Sequence, residues 1–232
     1  MTSFSTQSVS FDPLDSPHPI PWNWVMATMA EKESVNPPFR YYRSPSVVSP
    51  TGDYAAYSRI QFQSGEHLTQ NRIASILFVE NLQTGELQTI TPAAPFADNP
   101  FVADALIHQP GTIAIAIPVA WSESGDRLLA REFESLFGSG LASDFAVVWD
   151  QRSNCTYTLA PTQVQYTHAV LLGWSGRYPN QVLFRAGNMG ETDWFLYAVD
   201  LMGQTRLSLE DQAIGFGETT DRWAGPQGYS FA

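Results

Sequence analysis

The positions of histidine, cysteine and carboxylate side chains decide which chemistry is open to this chain. It has four histidines, His18, His67, His108 and His168, and a single cysteine, Cys155. No two histidines stand at metal-ligand spacing, no His-Glu-x-x-His run occurs, and one thiolate cannot build a cysteine-type zinc centre, so no metal site is expected. Cys155 has no basic neighbour nearer than Arg152 and reads as a buried thiol rather than a reactive one. The carboxylates near loops are Asp53, Glu123, Asp126, Glu132, Glu134, Asp144, Glu191 and Asp193. Two of them brought together could move a proton or hold a divalent cation. No stretch follows the spaced Asp/Asn pattern of a calcium loop, however, and Asp beside Gly is what tight turns select. Glu132 and Glu134 stand apart, because two positions along one strand put both on the same face. With His168 they are the set through which hydrolase or lyase chemistry would run, or around which a ligand would bind, in an acidic pocket at the sheet ends. Gly173-Trp174-Ser175-Gly176 approaches the Gly-x-Ser-x-Gly turn that presents a nucleophilic serine. Arg177 stands where the last glycine belongs and no βαβ pattern surrounds it, so it reads as a strand-end turn. No Gly-x-Gly-x-x-Gly or Walker loop is present, and no cofactor is expected.

The second class of function is recognition. Trp22, Trp24, Met26, Phe39, Tyr41, Tyr42, Phe137, Trp223 and Tyr229 lie in the N-terminal region, the loops and the tail, many beside Gly, Pro or Arg. Such side chains anchor protein interfaces. The leading expectation is therefore a non-catalytic interaction or scaffold module with protein partners, although the same aromatics could fold back over open sheet edges. The net charge is −11, with one lysine, Lys32, and scattered arginines, which excludes a phosphate-binding surface and hence nucleic acid. The polar run 1–15 lacks the basic start and apolar core of a secretory signal, and Ile113 to Trp121 is too short to span a bilayer. A cytoplasmic protein without membrane insertion is expected, and Asn154-Cys155-Thr156 is then a chance match to a glycosylation pattern.

These residues must be positioned by a mostly β body. Residues 1–43 read as an arm with a short amphipathic helix from Pro21 to Glu33, apolar at 22, 25, 26, 29 and 30 and stopped by Asn36-Pro37-Pro38. That helix either plugs an end of the body or exposes Trp22, Trp24 and Met26 to a partner. Residues 44–210 pass three times through one grammar: strand, Ser-rich Gly turn, strand, loop, strand ending in Asp or Asn, tight turn, strand. Between the first two units runs an insert, Ala93 to Gly111, in which Asn99 could cap a helical turn from Pro100 to His108. Residues 211–232 form a tail.

The repeat carries a family resemblance. Val119-Ala120-Trp121-Ser122-Glu123-Ser124-Gly125-Asp126-Arg127-Leu128-Leu129-Ala130 resembles the Trp-Ser-Pro-Asp-Gly-x-x-Leu-Ala element of TolB-like propellers, which also occurs in the propeller domain of prolyl oligopeptidases. Ser49 to Tyr57 looks like the same element, and Leu196 to Leu207 is similar to the outer hairpin of such a blade. The resemblance implies four-stranded antiparallel sheets and is almost silent about function. Three units are too few to close a ring. The expectation is an incomplete or degenerate β-propeller, with a sandwich or an eight-to-ten-stranded barrel as alternatives. Its open edges would be capped by the helix, by the tail or by a second copy of the chain.

Overall fold

Turn chemistry explains where the chain breaks into strands. In the computed structural model, which describes residues 11–31, 39–100 and 109–228, a short helix α1 (Trp22–Ala30) and a strand β1 (Phe39–Arg43) come first. Three successive four-stranded antiparallel meanders follow. The first is β2 (Ser46–Val48), β3 (Tyr54–Gln63), β4 (Arg72–Asn81) and β5 (Leu87–Ile90). The second is β6 (Thr112–Trp121), β7 (Arg127–Leu136), β8 (Ala142–Asp150) and β9 (Cys155–Leu159). The third is β10 (His168–Ser175), β11 (Val182–Gly187), β12 (Phe195–Val199) and β13 (Thr205–Leu207). The recurring serine closes the first turn of each unit. Ser49, Ser122 and Ser175 each accept a backbone N–H through Oγ, from Tyr54 (3.1 Å), Arg127 (3.0 Å) and Tyr178 (2.8 Å). Gly52 and Gly125 supply the left-handed residue of the first two turns, and Asn180 takes that conformation in the third.

The meanders pack face to face. Leu77, Val79 and Ile90 of the first meet Leu128, Ala130 and Val147 of the second, with Tyr54, Trp121 and Trp149 in mutual ring contact at the seam. Leu129, Val148 and Leu159 of the second meet Leu171, Val182 and Phe184 of the third. Burying each such side chain contributes roughly 1.5–3 kcal/mol. One parallel bridge, Ile73 to Ile113, joins the first two meanders into a larger sheet. Neither that sheet nor the one built on β10 to β13 closes on itself.

The two ends of the chain complete the body. The tail forms β14 (Ala213–Ile214), β15 (Glu218–Thr220) and β16 (Gly225–Gln227). It pairs in turn with the first strand of the third meander (Trp174 to Ile214), of the second (Trp121 to Phe216) and of the first (Val47 to Thr219), then with β1. The crossing is close: a Cβ on Gly217 would lie 2.5 Å from the Val48 carbonyl oxygen. At the other end, Ile20 and Val25 are buried against Ile60, Phe62, Ile113, Ile115 and Phe133.

Two expectations need correction. Phe39, Tyr41 and Tyr42 are not loop residues: they form β1, paired in register with β3 from Phe39–Gln63 to Arg43–Arg59. The short Phe-Arg-Tyr-Tyr-Arg run breaks strict alternation at Tyr41-Tyr42, which hides it as a strand. Cys155 is exposed rather than buried, since it opens β9, which ends the strand order of its sheet among the described residues. Residues 101–108, most of the expected helical turn after Asn99, lie outside the described residues. No helix among the described residues is long and apolar enough to cross a membrane.

Candidate functional site

The second connection of each meander emerges at one end of the body, and the three meet there. Residues 64–71 carry a short 3-10 turn at Leu68–Gln70. Asn71 O accepts from Gly111 N (2.9 Å), and Gly111 O accepts from Phe137 N (2.8 Å), which ties the β3–β4 loop to the β7–β8 loop. Gly111 stands at positive φ with its Cα facing the Thr69 carbonyl, where a Cβ would come within 3.0 Å. His168 ties the β7–β8 loop to the β11–β12 loop. Its Nε2 donates to Gly140 O (3.0 Å), and its Nδ1 pairs with Thr167 Oγ1 (2.7 Å), which itself accepts from Met189 N (2.9 Å). Trp194 packs on the imidazole at 6.0 Å between ring centroids.

Between these loops, the arm and α1 lies a groove of about 840 Å³. Trp22, Met26, Met29, Phe137, Met189 and Trp194 give it a mostly apolar lining. Around its mouth Phe11, Met26, Leu68 and Met189 are exposed. The charged side chains that line it are Asp12 and Asp15, beside the imidazole of His168.

Asp12 holds the arm in place as one wall of the groove. Its carboxylate accepts from the backbone N–H groups of Leu14, Ser16 and Ile20 and pairs with Arg131 (Nη1 2.7 Å, Nη2 3.2 Å). Arg131 also donates to His18 O (2.6 Å) and through Nε to Asp144 (2.8 Å), whose second oxygen accepts from Leu171 N. Arg131 and Asp144 are wholly buried. Burial pushes the Asp12 carboxyl up, but Arg131 and the backbone donors outweigh it and leave its pKa below the usual carboxylate value. The two carboxylates likewise outweigh burial at Arg131 and hold its charge more firmly. At Asp144 burial prevails over Arg131 and lifts the carboxyl to about 6, still ionised at neutral pH. His18, desolvated and donating through Nε2 to Leu172 O (3.0 Å), is pushed down and stays neutral.

The structure separates the expected Glu132, Glu134 and His168. The two glutamates share one face of β7 at the seam between the first two meanders, whereas His168 lines the groove and has both ring nitrogens engaged. Ser175 donates to Asp211 at the end of β10, as a turn residue does. Of the candidates for partner recognition, Trp22, Met26 and Phe137 come together in the groove, with Trp22 edge-on to Phe133 at 6.2 Å. Trp24 turns inward onto Tyr42 (5.2 Å) and Phe62 (6.4 Å), so this part of α1 plugs the body. Phe39 and Tyr41 are half-buried in β1, and Trp223 is exposed under the guanidinium of Arg222. Tyr229 lies outside the described residues. Sequence reasoning missed Met29, Leu68, Met189 and Trp194. Their signal was positional: Leu68, Met189 and Trp194 flank or occupy the same connection of different repeats. Among the described residues, no group of three or more His, Cys, Asp or Glu side chains could hold a metal ion. Comparison of the chain with protein-family models, curated proteins and solved structures finds no match.

Proposed function

We propose that this chain is a non-catalytic protein-interaction module, and that the loop-and-helix end of its body holds an apolar, net-basic segment of a partner protein. The observation that carries this reading is the groove itself, apolar along its length and rimmed by exposed Phe11, Met26, Leu68 and Met189. Methionines adapt to differently shaped apolar partners, which suits a recognition surface. The carboxylates of the lining are Asp12, which Arg131 already pairs, and Asp15, and the chain carries −11, so a basic segment is the complementary occupant. In this reading the three meanders are blades of an incomplete propeller of the TolB-like kind, serving as a rigid scaffold that presents its loops. Hydrolase chemistry has less support, because His168 spends both nitrogens on bracing loops and shares no hydrogen bond with either glutamate.

The test compares three full-length chains in capture from native lysate: wild type, the pair Met26→Glu with Met189→Glu, and Met202→Glu, an exposed methionine outside the groove. The captured segment is then synthesised and titrated against each. The expected result is binding to wild type and to M202E, a loss of at least about tenfold in the double variant, and weakening with salt. Equal affinity for all three chains would overturn the groove reading.

A further inference from the structure

We propose that Glu132 and Glu134 form a buried site for a single proton, which makes the seam between the first two meanders sensitive to pH. The register of β7 places Glu132 between Ala116 of β6 and Phe145 of β8, and Glu134 between Ala114 and Ser143. None of these four neighbours carries a charge. Arg131 turns to the other face with Asp12 and Asp144, and Arg72 of β4 pairs with Asp98 of the segment that follows β5. Asp144 adds a third negative group that acts on Glu132. Glu132 is 1% exposed, and its Oε2 has no hydrogen-bond partner among the described residues. Glu134 is 5% exposed, and its Oε1 accepts from the backbone N–H of Phe96 at 2.6 Å.

Two carboxylates two residues apart on one strand face stand roughly 7 Å from each other along the strand. Ionising both in a dry seam costs desolvation twice and adds their repulsion, so the pair keeps one proton taken from water. Glu134, with the N–H groups of Phe96 and Ala97, is the better place for the charge, and Glu132 is the better place for the proton. The titration directions agree. Burial, then Glu134 and Asp144, hold the Glu132 carboxyl well above its ordinary value. Burial lifts Glu134 to about 7 against the pull of its two backbone donors. Both folded values exceed the unfolded one, so the folded chain binds more protons between the two. The contribution to stability is therefore full below the ordinary glutamate value, declines as pH rises from there to about 7 at Glu134, and declines further at Glu132.

Thermal unfolding of the full chain from pH 5 to pH 9 tests this, with Glu132→Gln as a same-size neutral substitute and exposed Glu123→Gln as control. Wild type and E123Q are expected to lose about 3 °C or more of Tm between pH 6 and pH 9 relative to E132Q. The protection of the Phe96 amide against hydrogen exchange is expected to fall over the same range in wild type and not in E132Q. Should E132Q fail to fold, the infrared carbonyl band of a protonated buried carboxyl in wild type at pH 7.5 decides. Parallel Tm curves for wild type and E132Q, or no such band, would overturn the proposal.

Discussion

Two faces of the same strand bury charge in opposite ways. Arg131 points to the side where Asp12 and Asp144 meet it, and every donor nitrogen of its guanidinium finds an oxygen. One position further along, Glu132 points to the other side, flanked by Ala116 and Phe145, with Glu134 as its charged neighbour. The first face tolerates buried charge by pairing, at the cost of recruiting a residue more than a hundred positions away. The second is paired with no cation among the described residues, and proton uptake neutralises it instead. Burial alone therefore does not define a site; the partner supplied from outside the strand does.

The sharpest way to break this contrast is to remove the cation. Arg131→Met leaves Asp12 and Asp144 buried without a counter-charge, and is expected to lose about 3–5 kcal/mol in urea unfolding. The same variant should free the arm, seen as rapid proteolysis before Ile20 in an otherwise folded body. Asp12→Asn is milder, because Asp144 still pairs with Arg131, and is expected to cost about 2 kcal/mol. Its pH signature differs in sign from that of Glu132. The Asp12 pKa is lowered on folding, so its contribution is present above the ordinary carboxylate value and is lost as pH falls through the folded value. Acid unfolding of D12N should accordingly be shallower than that of wild type.

His168→Phe keeps a ring against Trp194 but removes the donor to Gly140 and the link through Thr167 to Met189. A loss of about 1 kcal/mol is expected, with faster amide exchange at Met189 and unchanged exchange in the β3–β4 loop. At the small end, Trp223→Ser should alter stability by no more than about 0.5 kcal/mol, since the indole is exposed.

The repeat was legible because its signals are local. Serine and glycine at each first turn, and aspartate or asparagine at the end of each third strand, mark the turns of the three meanders, whereas β6 begins seven residues before the Val119 at which its pattern becomes readable. The strand β1 was illegible, because its five residues break alternation at Tyr41-Tyr42 and its place is fixed only by β3 and β16 on either side of it. The pairing of Glu132 with Glu134 followed from the two-residue period of a strand. Their separation from His168 did not, since it depends on which loop each strand end feeds.

Local chemistry in the sequence thus determined the strands and turns of the three meanders, the short helix and the alternation of side chains along a strand, because backbone dihedrals and side-chain alternation are short-range. Only the tertiary structure decided that the tail would stitch the three first strands together, that Asp12 would reach Arg131, and that three separate loops would enclose one apolar groove. Each of those joins residues distant in the chain, and each is selected by what the packed body must bury, neutralise or pair once its sheets have met.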